Sequence, residues 1–499
     1  MTSEPTVRIS GGRLSGTREN GIDRYLGVPY AAAPVGQRRF AEPAPVPAWD
    51  GVRDATVMGP TAPQNPYSAE TARLLANVVT PGEEYLNVNV WAPAGARDRP
   101  VMVWVHGGSF AHGSNALDGY DGTAFARDGV VFVSVNYRLG SEGFSVFEDA
   151  PANVGLRDVV AALRWVRAEI AAFGGDPGTV TAFGESAGAI ALGTLLAKPG
   201  AAELFDRVVI QSGAPMASTR KSAGRITRKI ARKLGVAPTR AAFSGIPPER
   251  LLAAEAAVMA GSTPLTGGAG YSAAIGDEIV PRRPLEAILD GAGDPIPVLL
   301  GWTAEEYRLW FVPSGLIDRV GRLLFTAARL RFRIGRRVLR AYRIAYPSAG
   351  RGELFGTIVV DLLLRIPLHR TADARLARGA APTYVYEFAW QSQVENLGAA
   401  HVMELPFVFD RLSSPDWTPL TGPEAPQKLA EEMHAAWVAF ASTGDPGWRG
   451  WDGKRPTMVF DAPTSSVVDA PRDAQLKAWR RRVADRKSHQ ETRGGAGKP

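Results

Sequence analysis

The sequence feature that most constrains the fold is a glycine–serine motif between a predicted strand and a predicted helix. Residues 180–183 (VTAF) form a short apolar run typical of a buried strand, and residues 187–196 are rich in small residues that suit a packed helix. Residues 184–188 (GESAG), at the junction, match the pattern G-x-S-x-G. A sharp strand-to-helix turn of this kind lifts a serine hydroxyl out of the sheet. The motif therefore predicts that Ser186 is a nucleophile and that the amide of Ala187 points toward a developing oxyanion.

A second glycine motif follows another predicted strand. Residues 101–105 (VMVWV) form a buried strand by the same criteria, and His106-Gly107-Gly108 comes directly after it. Glycines at the end of a strand let backbone amides approach a substrate closely. We therefore predict that the amides of Gly107 and Gly108 supply the second half of an oxyanion hole.

Strands and helices alternate over much of the chain. Further strands are predicted at 130–135, 208–210 and 297–300, and a helix at 154–173. This alternation indicates an α/β fold with a mostly parallel, doubly wound sheet and functional loops at the carboxyl ends of its strands. We expect a single domain over residues 1–485, with helical insertions at about 216–270 and 303–380 covering the active end, and a disordered basic tail at 486–499.

A serine nucleophile needs a base, and the chain has six histidines. Five are assigned elsewhere: His106 and His112 to the glycine loop, His369 to an arginine-rich region, His434 to a helix and His489 to the tail. His401 lies on a predicted loop between the strand-like residues 384–388 and the apolar run 405–409. It is also downstream of Ser186, as the order serine, acid, histidine requires. These arguments predict His401 as the base.

The acid that orients the base should follow a strand between Ser186 and His401. Glu305 and Glu306 come shortly after the strand at 297–300, and Asp277 follows another apolar run. Spacing alone does not choose among these three carboxylates.

Composition and charge bear on the chemistry, the localisation and the partners that we expect for the protein. The absence of cysteine excludes disulfides and thiolate chemistry, and the first residues show no secretory signal, so we expect a cytoplasmic protein. The net charge of +7 is concentrated between Arg319 and Arg343 and in the tail from Arg480. We interpret both stretches as solvated surface, with attraction to anionic lipid as the alternative. Nucleic acid is not expected as a partner, because no recognition motif accompanies the charge.

The motifs together resemble the type-B carboxylesterases, the family of bacterial para-nitrobenzyl esterases and cholinesterases, from about residue 8 to about residue 460. Besides the two glycine motifs, the matching stretches are 25–31 (YLGVPYA), 86–93 (LNVNVWAP), 136–140 (NYRLG), 173–177 (FGGDP) and 211–213 (QSG). The resemblance implies the α/β-hydrolase fold. It also selects Glu306, five residues after Gly301, as the acid, and His401, which precedes residues 404–407 (ELPF), as the base. It implies a Ser-His-Glu triad that cleaves carboxylic esters without metal or cofactor.

Several positions depart from the family pattern. Tyr85 stands where secreted relatives have a disulfide cysteine, and Tyr307 follows the acid where glycine is usual. No tryptophan occurs in residues 63–83, so a specialist for choline esters is not expected.

The expected substrate is a small apolar or aromatic ester, held by aromatic and aliphatic residues near the acid (Trp302, Leu309, Trp310 and Phe311) that otherwise belong to the core. The alternatives are lipase or carbamate hydrolysis, and a non-catalytic binding protein on the same fold. The sequence does not predict the oligomeric state.

Overall fold

One large central sheet organises the molecule. The computed structural model describes residues 4–262 and 270–479, and within them an 11-stranded sheet is flanked by a three-stranded and a two-stranded sheet. The predicted disordered tail at 486–499 lies outside the described residues.

The strands and helices of the described residues are numbered in chain order. The strands are β1 Thr6–Ile9, β2 Gly12–Ser15, β3 Thr17–Glu19, β4 Ile22–Pro29, β5 Val52–Asp54, β6 Asn87–Pro93, β7 Arg99–Val105, β8 Val131–Val135, β9 Gly175–Glu185, β10 Arg207–Gln211, β11 Ser218–Thr219, β12 Ala274–Ile275, β13 Val298–Thr303, β14 Thr383–Phe388, β15 Pro456–Phe460 and β16 Ser466–Asp469. The α-helices are α1 Ala69–Ala72, α2 Thr123–Arg127, α3 Gly140–Phe144, α4 Val154–Glu169, α5 Ala187–Leu196, α6 Arg220–Leu234, α7 Arg240–Ser244, α8 Pro248–Met259, α9 Pro284–Leu289, α10 Arg308–Phe311, α11 Leu316–Arg319, α12 Arg322–Arg331, α13 Arg336–Ala345, α14 Arg351–Val360, α15 Ile366–Ala377, α16 Leu405–Val408, α17 Thr418–Thr421 and α18 Gln427–Thr443.

The centre of the large sheet is parallel and its margins are antiparallel. The strand order is β16-β15-β14-β13-β10-β9-β7-β8-β6-β4-β3, and the neighbours from β15 to β8 are parallel pairs. Parallel strands are covered on both faces, which explains their continuous apolar runs. In β7, for example, Val101, Val103 and Val105 join one core and Met102 and Trp104 join the other. The α/β fold with a mostly parallel sheet is therefore confirmed.

Two predicted elements differ from the observed ones by four or more residues at one end. The helix predicted at 154–173 is α-helical only to Glu169 and finishes as a 3-10 turn, Ile170–Phe173. Strand β9 begins at Gly175, five residues before the predicted apolar run. The extra residues reach Arg99 on β7 across a register shift, a long-range pairing that apolar periodicity does not report.

Because neighbouring strands of the centre are parallel, their carboxyl ends meet at one edge. Strands β7, β9, β13 and β14 end there at Val105, Glu185, Thr303 and Phe388. The glycine loop, Ser186 and the loops carrying Glu306 and His401 all follow these ends. The topology thus brings segments that are hundreds of residues apart to one place.

Helices occupy both sequence ranges predicted as insertions. Helices α6, α7 and α8 lie in the first range, and α10 to α15 lie in the second, with a π-helical turn at Asp361–Arg365. Within the described part of the chain, no helix is long and apolar enough to cross a membrane.

Candidate active site

Ser186 occupies the turn between β9 and α5. Its backbone has φ 54° and ψ −117°, a region that L-residues rarely adopt, and its amide donates to the carbonyl of Gln211 at 2.9 Å. A Cβ at Gly188 would lie only 1.9 Å from the carbonyl oxygen of Val105, so only glycine fits there. The start of α5 is thus in contact with the end of β7, and this contact explains why the motif needs glycine at position 188. The side chain of Ser186 remains partly accessible.

The glycine loop lies directly beside the serine. A Cβ on Gly107 would be 3.1 Å from Cβ of Ser186, and Gly108 has φ +104°, which strongly favours glycine. His106 supports this loop: its ring stacks on Tyr137 at 4.6 Å, and its Nδ1 lies 2.8 Å from the carbonyl of Gly107. Burial lowers the pKa of His106 to about 4, so the ring stays neutral and holds the loop in place.

Of the three carboxylates predicted as the acid, Glu306 is the one in contact with His401. Its Oε2 lies 2.5 Å from Nδ1 of His401, and its Oε1 accepts a 2.8 Å hydrogen bond from the amide of Thr303. Both side chains are buried. The two other candidates are bound elsewhere: Glu305 pairs with Arg308 at 2.8 Å, and Asp277 accepts from Asn153 at 2.9 Å.

The second nitrogen of His401 has no hydrogen bond among the described residues. It lies 2.9 Å from Oε1 of Glu185, within ion-pair distance, and neither of these two atoms has a hydrogen bond within the described residues. No hydrogen bond joins Nε2 to Ser186 in the described residues either. The structure therefore brings Glu306 and His401 together directly, and it places Glu185, which directly precedes Ser186 in the sequence, at the other nitrogen of the imidazole.

Three buried carboxylates surround the imidazole. Burial disfavours the imidazolium, but the charges of Glu185 and Glu306 outweigh burial and hold the pKa of His401 well above its usual value. Burial also opposes ionisation of Glu306, yet His401 holds the pKa of this carboxyl below its usual value. Burial raises the pKa of Glu185, and with the neighbouring carboxylates it raises the pKa of Glu404 to about 8. Glu306 is thus the carboxylate of this group whose pKa lies below its usual value.

Sequence reasoning did not assign a role to Glu185 or Glu404. Glu185 fills the first variable position of the G-x-S-x-G motif, and Glu404 follows His401 by three residues. Glu404 is fully buried, and its Oε1 is 3.4 Å from Nε2 of Gln211, at the end of β10. Buried carboxylates are rare unless they are paired, so burial would have marked both residues as candidates for a role in the site. Burial depends on the tertiary fold, however, and the local sequence does not report it.

The residues predicted to line a pocket separate into two groups. Trp302, Leu309 and Phe311 are buried in the core, and Trp302 donates to Glu387 at 2.7 Å. Trp310 remains partly accessible, with its ring 4.7 Å from the ring of His401. Of these four, Trp310 is the residue at the site.

The remaining histidines lie away from Ser186 or serve packing. His112 lies against Tyr67, His369 is buried between Trp302 and Trp451, and His434 is buried in α18 with its Nδ1 2.8 Å from the carbonyl of Val408. Burial lowers the pKa of His369 to about 3. His489 lies outside the described residues. Within the described ranges, no group of three or more histidine, aspartate or glutamate side chains is arranged to hold a metal ion.

Comparisons with known proteins agree with this architecture. A family model described as the carboxylesterase family matches residues 3–479, slightly more than the sequence resemblance covered. The para-nitrobenzyl esterase of Bacillus subtilis (strain 168) is 34% identical over 488 residues, which cover 94% of this chain and 97% of that protein. The phenmedipham hydrolase of Pseudarthrobacter oxydans is also 34% identical, over 94% of this chain and 96% of its own.

A solved structure has the same fold at comparable similarity. The crystal structure of a Geobacillus stearothermophilus carboxylesterase at pH 6.2 superposes with a TM-score of 0.85 and 38% identity, covering 95% of this chain and 99% of the other. These matches confirm the resemblance and the α/β-hydrolase fold predicted from the sequence. The chain therefore belongs to the carboxylesterase family and is a serine carboxylesterase.

Proposed function

We propose that the protein hydrolyses carboxylic esters through an acyl-enzyme on Ser186, with His401 as the base and Glu306 as the acid. The observation that carries this proposal is the buried Glu306–His401 contact at 2.5 Å; Nε2 of the same ring has no hydrogen bond among the described residues and lies 2.9 Å from Oε1 of Glu185, the residue before Ser186. A base must be held by one nitrogen and available at the other. Glu305 and Asp277 do not meet this requirement, because both are engaged by other residues.

In the first half of the reaction, Oγ of Ser186 bonds to the ester carbonyl carbon while its proton passes to Nε2 of His401. The tetrahedral intermediate then collapses, the bond to the alcohol oxygen breaks, and Nε2 returns the proton to the leaving alkoxide. Water next adds to the acyl carbon as His401 accepts its proton, and the acid leaves as Oγ of Ser186 regains a proton. Glu306 fixes the tautomer that carries its proton on Nδ1 and stabilises the imidazolium at each step.

The oxyanion would be bound by the backbone amides of Gly107, Gly108 and Ala187. The contact between the glycine loop and Ser186, and the start of α5 at Ala187, support this assignment. Donors of this kind act on charge that appears only in the transition state, and each contributes about 2.7–4 kcal/mol.

The substrate would be a small apolar or aromatic ester. Two partly accessible aromatic rings support this class: Trp310, against His401, and Tyr67, whose ring lies 4.4 Å from that of His112 in the glycine loop. Aromatic faces of this size favour apolar groups on either side of a scissile ester.

The test is hydrolysis of a para-nitrophenyl ester series from acetate to octanoate. We expect wild-type activity to be greatest on one of the shorter esters, and Ser186→Ala to lower kcat by a factor on the order of 10⁶, as loss of a serine nucleophile does in triad enzymes. The matched control is Ser442→Ala, which removes an exposed serine hydroxyl from α18, far from the site in the fold.

Activity that survives in Ser186→Ala would contradict the assignment of the nucleophile. A folded wild-type protein without activity on any of these esters would contradict the proposed substrate class.

A further inference from the structure

An exposed, basic and apolar surface is formed by α12 and α13, and we call it the arginine surface. Residues 316–345 contain nine arginines and a single acidic residue, Asp318. Six of these arginines, all on α12 and α13, are considered together: Arg322, Arg329, Arg336, Arg337, Arg340 and Arg343. Within the described residues none of the six forms an ion pair, whereas exposed arginines elsewhere, such as Arg73 and Arg127, are paired with Glu395 and Asp128.

Large apolar side chains stand among these charges. Leu323 is 89% exposed, Leu330 is 76% exposed and Ile344 is 71% exposed. Leu323 and Leu330 are seven residues apart and therefore lie on one face of α12, with Ala327 between them. A single exposed leucine needs no explanation, but several within a cluster of unpaired cations mark an interaction surface.

A groove connects the two helices within this surface. It has a volume of about 360 Å³ and is lined by Arg329, Arg336, Leu339, Arg340, Arg343 and Ile344. Nε of Arg329 is buried and has no hydrogen-bond partner among the described residues. The groove therefore presents several guanidinium groups beside two aliphatic side chains. This combination matches a phosphate group attached to a hydrocarbon chain.

Helix α6 shows what the arginine surface has in addition to charge. It is also basic, with Arg225, Arg228 and Arg232 exposed, but its apolar residues, among them Ile226 and Ile230, are buried in the core. A partner that recognises charge alone would have no use for the exposed leucines of α12. Nucleic acid is such a partner, because its backbone offers phosphates without an apolar layer.

We propose that the arginine surface docks the protein on an anionic lipid bilayer. Leu323, Leu330 and Ile344 enter the boundary between headgroups and acyl chains, and the arginines contact lipid phosphates. The helices lie in the plane of the surface rather than across it. The surface belongs to the same helical segment as Trp310, which lies against His401 and precedes the start of α12 by twelve residues. Docking would therefore bring the segment that carries Trp310 toward esters dissolved in the bilayer.

The experiment is sedimentation of the full-length protein with phosphatidylcholine vesicles that contain or lack phosphatidylglycerol. We expect binding at low ionic strength only to the vesicles with phosphatidylglycerol. This binding should disappear in roughly 1 M salt, where the Debye length is about 3 Å. The combined variant Arg336→Gln, Arg340→Gln and Arg343→Gln should weaken partitioning on the order of 100-fold, at about 1 kcal/mol for each basic residue. Leu323→Ser with Leu330→Ser should weaken it as well, because the apolar contribution is lost.

The matched control is Arg225→Gln, Arg228→Gln and Arg232→Gln, which removes the same charge from α6. It should bind nearly as well as the wild type. All variants should hydrolyse para-nitrophenyl acetate like the wild type, which verifies folding and keeps this test separate from that of the proposed chemistry.

Three outcomes would overturn the proposal. The first is a wild-type protein that does not bind at low ionic strength. The second is equal weakening by the α6 control and by the α13 variant. The third is binding that persists in the α13 variant but is lost when residues 480–499 are removed, since the basic tail would then be the docking element.

Discussion

The nucleophile side and the acid–base side of the site are built in different ways. Ser186 and the glycine loop are set by two short motifs, in which glycines let backbones approach so closely that a Cβ at Gly188 would collide with Val105. Glu306, the segment with His401 and Glu404, and Glu185, which ends β9 beside Ser186, lie far apart in the sequence and meet only in the folded sheet. The first side contains backbone dipoles and no ionised group, whereas the second is a buried cluster of titratable groups. Steric changes should therefore damage the first side, and charge changes the second.

Among changes that leave the Ser186 hydroxyl in place, the largest expected effect is on the acid–base side. Replacing Glu306 by glutamine removes the charge that holds the His401 tautomer and stabilises the imidazolium, so we expect kcat to fall on the order of 10⁴-fold. The control is Glu305→Gln, one residue away but paired with Arg308, which should leave kcat within a few fold of the wild type. Steady-state kinetics on a para-nitrophenyl ester measure kcat of both variants. Equal losses of kcat in the two variants would contradict the assignment of Glu306 as the acid.

The nucleophile side should respond to a single methyl group. In Gly188→Ala, the added Cβ would meet the carbonyl of Val105, which shifts the start of α5 and misaligns the amide of Ala187. Loss of one oxyanion donor costs about 10²–10³ in kcat, and we expect a loss in that range together with a lower melting temperature. Gly245→Ala is the control, since its added Cβ has no neighbour closer than 3.8 Å. Wild-type kcat in Gly188→Ala would show that the predicted collision is relieved without cost.

Trp310 lies against the acid–base side, with its ring 4.7 Å from that of His401, and it remains partly accessible. Trp310→Ala removes an aromatic contact of roughly 1 kcal/mol, so we expect kcat/KM to fall several-fold on octanoate and less on acetate. The matched control is Trp390→Ala, because Trp390 is also a partly exposed tryptophan and its ring packs on Phe407. A tryptophan buried in the core, such as Trp448, would not serve as a control. An equal loss on every ester would mean that Trp310 positions His401 rather than the substrate.

The smallest expected effect is a shift of the pH profile. The base must be neutral to accept the proton of Ser186, so kcat/KM rises with pH through the pKa of His401. The negative charge of Glu185 raises the pKa of this imidazole, and Glu185→Gln should therefore move the acidic limb to lower pH. The matched variant Glu305→Gln should leave the limb in place. A limb that moves to higher pH would show that Glu185 acts on His401 in the opposite sense.

The same contrast explains what the sequence could predict. The turn at Ser186 and the loop at Gly107 are local, so glycine spacing next to apolar runs was sufficient to locate them. Strand alternation was sufficient for the parallel sheet, because buried strands have continuous apolar runs. The choice of Glu306 over Glu305 required the family resemblance, since neighbouring carboxylates do not differ in local pattern. The burial of Glu185 and Glu404, the core positions of Trp302 and Phe311, and the early start of β9 all depend on long-range packing.

The most direct test of the proposed chemistry is labelling of the nucleophile. Diethyl para-nitrophenyl phosphate transfers a diethylphosphoryl group to an activated serine, and intact-protein and peptide mass spectrometry locate it. We predict one group per chain, on Ser186, with loss of esterase activity in proportion to labelling and no labelling of Ser186→Ala. Labelling of another residue, or full activity in a protein labelled at Ser186, would contradict the account.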